Sequence, residues 1–282
     1  MGLPPDNHVH SEWSWDAMLG SMEQTCDRAV QLGLPSIAFT EHVDHTVWTA
    51  SEAGLSGLPA DHPISRFRDE EGRVTPPPFD VEGYLESLER CRSRFPSLRI
   101  LSGLEVGEPH RHHHAVDAVL AAAQFDRVVG SLHSLRSKHG YEEPNELFAH
   151  RAADEVVRDY LAEIARLVTD SAAFSILGHV DYPLRYWPQK YGPFDPLRFE
   201  DEFRHALRAT ARQGRVLEIS TVLPLDIVIL RWWREEGGSA VTFGSDAHEP
   251  AELARNFVEA SAMAEAVGFH STQDPFEPWR RR

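Results

Sequence analysis

Hydrophobic and polar positions follow two rhythms along this chain. Short runs rich in Ile, Val, Leu and Phe occur at residues 7–10 (NHVH), 35–42 (PSIAFTEH), 99–105 (RILSGLE) and 126–133 (DRVVGSLH), then at 175–179 (SILGH), 215–220 (RVLEIS) and 240–246 (AVTFGSD). Gly or Pro often lies beside them, and such runs suit strands buried on both faces of a parallel sheet. The stretches between them have helical spacing. Within residues 21–33, Met22, Cys26, Ala29, Val30 and Leu32 fall on one side, and Gly33 supplies a stop. Residues 81–95, 112–124, 153–168, 199–214 and 224–237 read the same way, and 249–268 closes the series. Seven strands alternating with helices predict an α/β fold with a parallel sheet, either open or closed into a barrel.

Two segments break the rhythm. Residues 43–80 carry many Gly, Pro and Asp and no sustained period, and read as an insertion forming a partly ordered lid over the mouth of the second strand. Residues 183–197 are a second loop of this kind. No linker separates one half of the chain from the other, so residues 1–282 read as a single domain.

A closed (β/α) barrel carries its active site at the C-terminal ends of its strands, which directs attention to how each run ends. The first ends in His8 and His10, two apart, so both side chains project to one side of an extended strand, and Asp16 follows. The next runs end in His42, Glu105, His133 and His179, and the last in Asp246 and His248. Glu218 and Ser220, at the end of the sixth run, are less clearly placed. Taken singly, a His here is a hydrogen-bonded loop residue and an Asp a helix cap. Those separate explanations would have to hold at six strand ends that converge on one rim, so the group reads as metal ligands. Nitrogen and oxygen donors suit Zn²⁺, Mn²⁺ or Fe, and nine of them imply two or three ions sharing a bridging carboxylate. Clustered ions acidify bound water and clamp phosphoryl oxygens, which points to phosphate-ester hydrolysis.

Composition narrows the partners. The chain has 282 residues, 41% apolar and 26% charged, with a net charge of −16. That charge disfavours nucleic acid and anionic membrane, and leaves a small phosphorylated metabolite as the expected partner. There is no run of about 18 apolar residues to span a bilayer. The N-terminus lacks the basic flank and apolar stretch of a secretory signal, and Cys26 and Cys91 read as small core residues in a reducing cytoplasm.

In HVH, FTEH, GLE, SLH, GHVD and GSDAH, in that order over essentially the whole chain, the sequence resembles the PHP (polymerase and histidinol phosphatase) family. The resemblance implies a distorted seven-stranded (β/α)7 TIM-like barrel with a trinuclear metal site at the strand ends. Carried over, His8, His10, Glu105 and Asp246 would hold the first ion. Glu105 would bridge to a second held by His133 and His179, and Asp16, His42 and His248 would hold the third. SIAFTEHVD and LGHVDYPLRY look like the histidinol-phosphatase type, which removes phosphate from L-histidinol phosphate in histidine biosynthesis. By that likeness a metal-bound hydroxide would attack phosphorus, and Asp246 or His248 would handle the leaving-group proton. Arg185 is a candidate phosphate clamp, because guanidinium matches phosphate with two parallel bonds.

Three other readings compete. They are a PHP phosphoesterase acting on another small ester or nucleotide, a metal-dependent amidohydrolase, and a non-catalytic PHP-type scaffold. No lysine at a strand end speaks for the amidohydrolase, and nine retained ligands speak against the scaffold. Trp13, Trp15 and Trp48 read as packing residues, with stacking on a substrate ring as the alternative. His112, His113 and His114 match no motif and read as facing solvent.

Overall fold

The computed structural model describes residues 2–52 and 63–282. Its elements begin with β1 (Asp6–Val9), α1 (Met22–Leu32), β2 (Ser36–Val43), β3 (Trp48–Thr49), α2 (Pro63–Phe67), β4 (Arg73–Val74), α3 (Val81–Arg94) and β5 (Arg99–Gly107). There follow α4 (His113–Ala122), β6 (Arg127–Ser131), β7 (Leu135–Ser137), β8 (Gly140–Glu142), α5 (Pro144–His150), α6 (Ala153–Asp170) and β9 (Ile176–Leu177). The chain closes with α7 (Glu200–Arg212), β10 (Val216–Ser220), α8 (Ile227–Glu235), β11 (Ala240–Gly244), α9 (Phe257–Val267), β12 (Phe269–His270) and β13 (Trp279–Arg281).

The main sheet has nine strands in the order β1-β2-β5-β6-β9-β10-β11-β13-β12. The first seven pair in parallel. The sheet curls until its two parallel ends meet: Asp246 N–H donates to the His8 carbonyl at 2.8 Å and His10 N–H to the Ala247 carbonyl at 2.9 Å. The expected seven-strand count is corrected to nine, because β13 and β12 add antiparallel strands beyond β11. These two strands are three and two residues long, too short for a period-2 pattern to announce them.

Helices pack on the outside of the sheet. The larger core lies between α6, α7, α8, α9 and strands β9 to β11. On α6, Val156, Val157, Tyr160, Leu161, Ile164, Leu167 and Val168 form the buried face, each aliphatic contributing roughly 1.5–3 kcal/mol when taken out of water. A second core joins α1 and α3 to β1 and β2, and takes in Cys26 and Cys91, both buried free thiols. α1 begins at Ser21, whose hydroxyl accepts from Gln24 N–H, and ends at Gly33 in the left-handed conformation that glycine adopts without steric cost.

Several boundaries differ from the periodic reading. The last helix starts at Phe257, since Pro250 opens a separate 3₁₀ turn and Ala254 and Asn256 sit at φ 55° and 57°. The hairpin β7–β8 and helix α5, between β6 and α6, were not expected; each is too short for a clear period. Within 43–80, β3 pairs with β4, while residues 53–62 lie outside the described residues. Residues 182–199 fold into three 3₁₀ turns. His113 and His114 are exposed, but His112 is half-buried with Nε2 2.8 Å from Thr46 Oγ1, so the solvent-facing expectation fails for that one ring. Among the described residues no helix is long and apolar enough to cross a membrane.

Candidate metal centre

The side chains that end the parallel strands meet in one place. His8 lies on β1 and His10 just beyond it, His42 on β2 and Glu105 on β5. His133, His179 and Asp246 each sit two residues past the ends of β6, β9 and β11. Asp246 adopts φ 50°, a left-handed conformation that Asp tolerates better than most residues, and its N–H is held by β1 as described above. Gly244 permits the approach: a Cβ there would stand 2.7 Å from the Glu218 carboxylate and from the His8 Cβ.

Glu105 is the hub. Its Oε2 lies 3.2 Å from His8 Nε2, 3.4 Å from His10 Nε2 and 3.1 Å from His42 Nδ1. Its Oε1 faces the other way, 3.2 Å from His133 Nε2 and 2.8 Å from His179 Nε2. Asp246 Oδ1 completes the first group at 3.2 Å from His10 Nε2 and 3.7 Å from His8 Nε2. Asp16 Oδ2 stands 3.4 Å from both His42 Nε2 and His248 Nε2. His8–His10–Glu105–Asp246 and Glu105–His133–His179 each bring their donor atoms within 4.8 Å of one another, as do His10–His42–His248 and His42–Asp44–His133.

The donor set fits a cluster of divalent ions. His8 Nε2, His10 Nε2, His42 Nδ1, Asp16 Oδ1 and Glu105 Oε2 are buried with no hydrogen-bond partner among the described residues, although several stand close together. An unsatisfied buried polar atom costs about 1–3 kcal/mol, so five in one cluster need a common partner, which cations supply. The far sides of the rings are tied down. His8 Nδ1 meets Glu218 Oε2 at 2.6 Å, and His10 Nδ1 meets Ser14 Oγ at 2.9 Å, whose hydroxyl donates to Glu41 at 2.6 Å. Such outer contacts fix ring orientation and leave each Nε2 turned toward the cluster.

The charges are strongly coupled. Burial opposes ionisation of Glu105, but His8, His42 and His133 overcome it and hold the carboxyl well below the usual range. Asp246 is likewise held down against burial, chiefly by Arg185 and His8. Burial works against the charged ring of His42, yet Asp16, Glu105 and Asp44 push its pKa to about 10; His248 reaches about 9 through Asp16 and Asp246. Without cations, protons on His8, His42, His133 and His248 would balance the ionised carboxylates.

The cluster floors a pocket of about 320 Å³. Arg185 enters it from the turn after β9, with Nη1 2.7 Å from Asp246 Oδ2 and Nη2 3.4 Å from Ser220 Oγ. Trp15 and Trp48 line the pocket, whereas Trp13 packs in the second core. Residues that the motif reading passed over, and Glu218, which it left less clearly placed, also contribute. Asp44 accepts from Trp15 Nε1 at 3.0 Å and lies 3.5 Å from His42 Nδ1. Its signal was present in sequence, two residues past His42 along an extended segment. Glu108 accepts the backbone N–H groups of His133 and Ser134, and Glu218 also accepts from His179 N–H at 3.2 Å. Glu41, Glu108 and Glu218 act through other residues, which no spacing rule reveals.

Fold and site together define an α/β protein whose curled, mainly parallel sheet gathers nitrogen and oxygen donors for several metal ions at its strand ends. The PHP domain model matches residues 6–222, and the chain belongs to the PHP domain family. Among similar proteins, the histidinol-phosphatase of Lactococcus lactis subsp. lactis (strain IL1403) is 25% identical over 278 residues, covering 94% of this chain and 91% of that protein. The probable histidinol-phosphatase of Thermotoga maritima is 25% identical over 271 residues, covering 94% and 92%. The crystal structure of the Lactococcus lactis histidinol phosphate phosphatase, complexed with Zn, L-histidinol and phosphate, superposes with a TM-score of 0.75. It is 22% identical and is matched over 99% of both chains, a likeness of fold. The putative histidinol phosphatase of Listeria monocytogenes follows at TM-score 0.72 and 16% identity, covering 90% of this chain and 99% of that one.

Proposed function

We propose that this chain is a metal-dependent phosphomonoesterase, a cytoplasmic enzyme of histidine biosynthesis that converts L-histidinol phosphate and water to L-histidinol and phosphate. The observation that carries the reading is the double-faced Glu105 with unpartnered buried donors around it. The histidinol-phosphatase relatives, alike over more than nine-tenths of the chain, point to the substrate. We read residues 1–282 as one PHP-type barrel domain, its seven parallel strands forming a distorted (β/α)7 unit, with 43–80 as a lid at the mouth.

In this reading His8, His10, Glu105 and Asp246 hold one ion, Glu105, His133 and His179 a second, and Asp16, His42 and His248 a third. Zn²⁺, Mn²⁺ or Fe bound there would supply Lewis-acid charge to the phosphoryl oxygens and acidify a water. The remaining work falls to the chain. Arg185, 2.7 Å from Asp246, is positioned to turn its guanidinium to a phosphate beside the ions. Asp246, held as a carboxylate by Arg185 and His8, suits ligation better than proton donation. His248 Nε2 can carry the leaving-group proton only while it is not a ligand, since a ring nitrogen that binds an ion has no proton there.

The test is phosphate release from L-histidinol phosphate, mononucleotides and p-nitrophenyl phosphate, by protein stripped and reloaded with Zn²⁺ or Mn²⁺. Strong preference for histidinol phosphate, abolished by chelation, is the expected result. Equal weak activity on all three would discard the substrate, and inactivity at full metal occupancy would discard the phosphatase.

A further inference from the structure

His248 is the candidate ligand that packing holds least. Its side chain is 32% exposed, against 0% for His10 and 8% for His42. Something other than burial must aim this ring, and a charged pair stands behind it. Glu252 Oε2 accepts the His248 backbone N–H at 3.1 Å, while Glu252 Oε1 accepts from Arg255 Nη1 at 3.0 Å. The same guanidinium donates from Nε to the Ser245 carbonyl at 3.1 Å and from Nη2 to the Asp246 carbonyl at 3.3 Å. One planar fork thus ties the start of the turn to the acid that holds its end. The Asp246 carbonyl also meets His248 Nδ1 at 3.1 Å. A carbonyl only accepts, so Nδ1 carries a proton, and the neutral ring presents Nε2 toward Asp16 as a lone pair.

The pair is itself anchored. Leu253, between its two members, is buried in the second core, and Ala254 N–H donates to Asp6 Oδ2 at 3.1 Å. The other Asp6 oxygen accepts from Ser245 N–H at 3.0 Å, so one buried acid holds both ends of the segment. Asp246, Ala254 and Asn256 all keep left-handed φ between 50° and 57°, which residues other than glycine retain only where surrounding contacts enforce it. Asp246 has further holds, through its N–H on the His8 carbonyl and its carboxylate on Arg185. Outside the donor cluster, the only hydrogen bonds of His248 among the described residues run to Glu252 and to the Asp246 carbonyl. We propose that the Glu252–Arg255 pair is a positioning device for His248: it turns this ring toward Asp16 and His42 and thereby sets the affinity of the third ion separately from the other two. The inference rests on the three-ion reading above and adds what controls occupancy of its most open group.

The experiment titrates metal-stripped protein with Zn²⁺ in competition with a chromophoric chelator, which reads binding apart from turnover. His248→Ala marks the equivalent that belongs to this group. Arg255→Met and Glu252→Ala are expected to weaken that same equivalent by about 10- to 100-fold and to leave the others at wild-type affinity. Glu252→Gln keeps an acceptor for the His248 N–H and should recover most of the loss. Arg255→Lys should recover little, because an ammonium cannot span three acceptors in one plane. Arg255→Met added to His248→Ala should cause no further loss, since the guanidinium acts through that ring. Unchanged affinity for the marked equivalent in folded Arg255→Met and Glu252→Ala overturns the proposal. So does equal weakening of every ion together with a lower melting temperature of the stripped protein, because the pair would then serve the fold at large. A wild type with no equivalent that His248→Ala weakens would instead overturn the three-ion reading, and the proposal with it.

Discussion

Glu218→Gln isolates the outer layer of the metal centre. Glu218 Oε2 lies 2.6 Å from His8 Nδ1, and both side chains are fully buried. The carboxylate accepts a hydrogen bond from Nδ1–H and leaves Nε2 as a lone pair facing Glu105 and Asp246. An amide can keep the acceptor for His179 N–H, but then its NH₂ faces His8 Nδ1. The ring answers by moving its proton to Nε2, where it points at the ion position. Loss of an outer partner of this kind weakens metal binding by about 10- to 100-fold, equivalent to about 1.4–2.7 kcal/mol. The change should fall on one ion, because Glu105 Oε1, His133 Nε2 and His179 Nε2 face the second group, away from His8. Metal content would be measured by mass spectrometry after equilibration with buffered free Zn²⁺. Loss of about one equivalent at a concentration that saturates wild type is expected. Full retention of every ion, in a variant shown to be folded by its melting temperature, would refute the reasoning.

Other substitutions probe the centre and its support. His10→Ala deletes a donor that faces both Glu105 and Asp246; phosphate release should drop to about 1% or less with unchanged circular dichroism, and near-normal turnover would sink the assignment. Arg185→Met keeps the apolar stem and removes the guanidinium, so KM for the phosphate ester should rise by about 10- to 100-fold; Arg185→Lys should recover only part, for want of two parallel donors. Glu163, on α6, bonds His110 at 2.9 Å and Arg111 at 2.7 Å, and these partners draw its carboxyl down from 4.5 to about 2 against a burial penalty. A depressed acid stabilises the fold above its unfolded pKa and loses that contribution as pH falls through the folded value. Allowing for solvent screening of this half-buried group, Glu163→Gln should cost about 1–2 kcal/mol at pH 7. The gap from wild type should close between pH 4.5 and 2 in urea melts, and a constant gap across that window would exclude the linkage.

Local chemistry alone made much of this protein legible. A parallel strand buried on both faces must be apolar along its length, and a helix that covers it must be apolar on one face. The rhythm of short runs and amphipathic stretches therefore announced the α/β alternation and helices within 21–33 and at 153–168, which the fold carries at 22–32 and 153–170. The residues that end the runs announced the candidate ligands, because a parallel sheet brings the same ends of its strands to one edge. What remained hidden depends on contacts between distant segments. β12 and β13 are too short to carry a period, and they exist because β11 offers a free edge. The turn at 250–256 was read as helix because composition does not reveal left-handed φ at Ala254 and Asn256. Glu41 and Glu108 look like any other glutamates in sequence, and Glu218 shows there only as a strand-end acid without a partner. Only folding decides that Glu218, 210 positions from His8, aligns that ring. Only folding likewise decides that Glu105 turns one oxygen to each cluster. Ligand type is a property of a residue, whereas partnership is a property of the space around it, and that space is assembled only when the sheet curls.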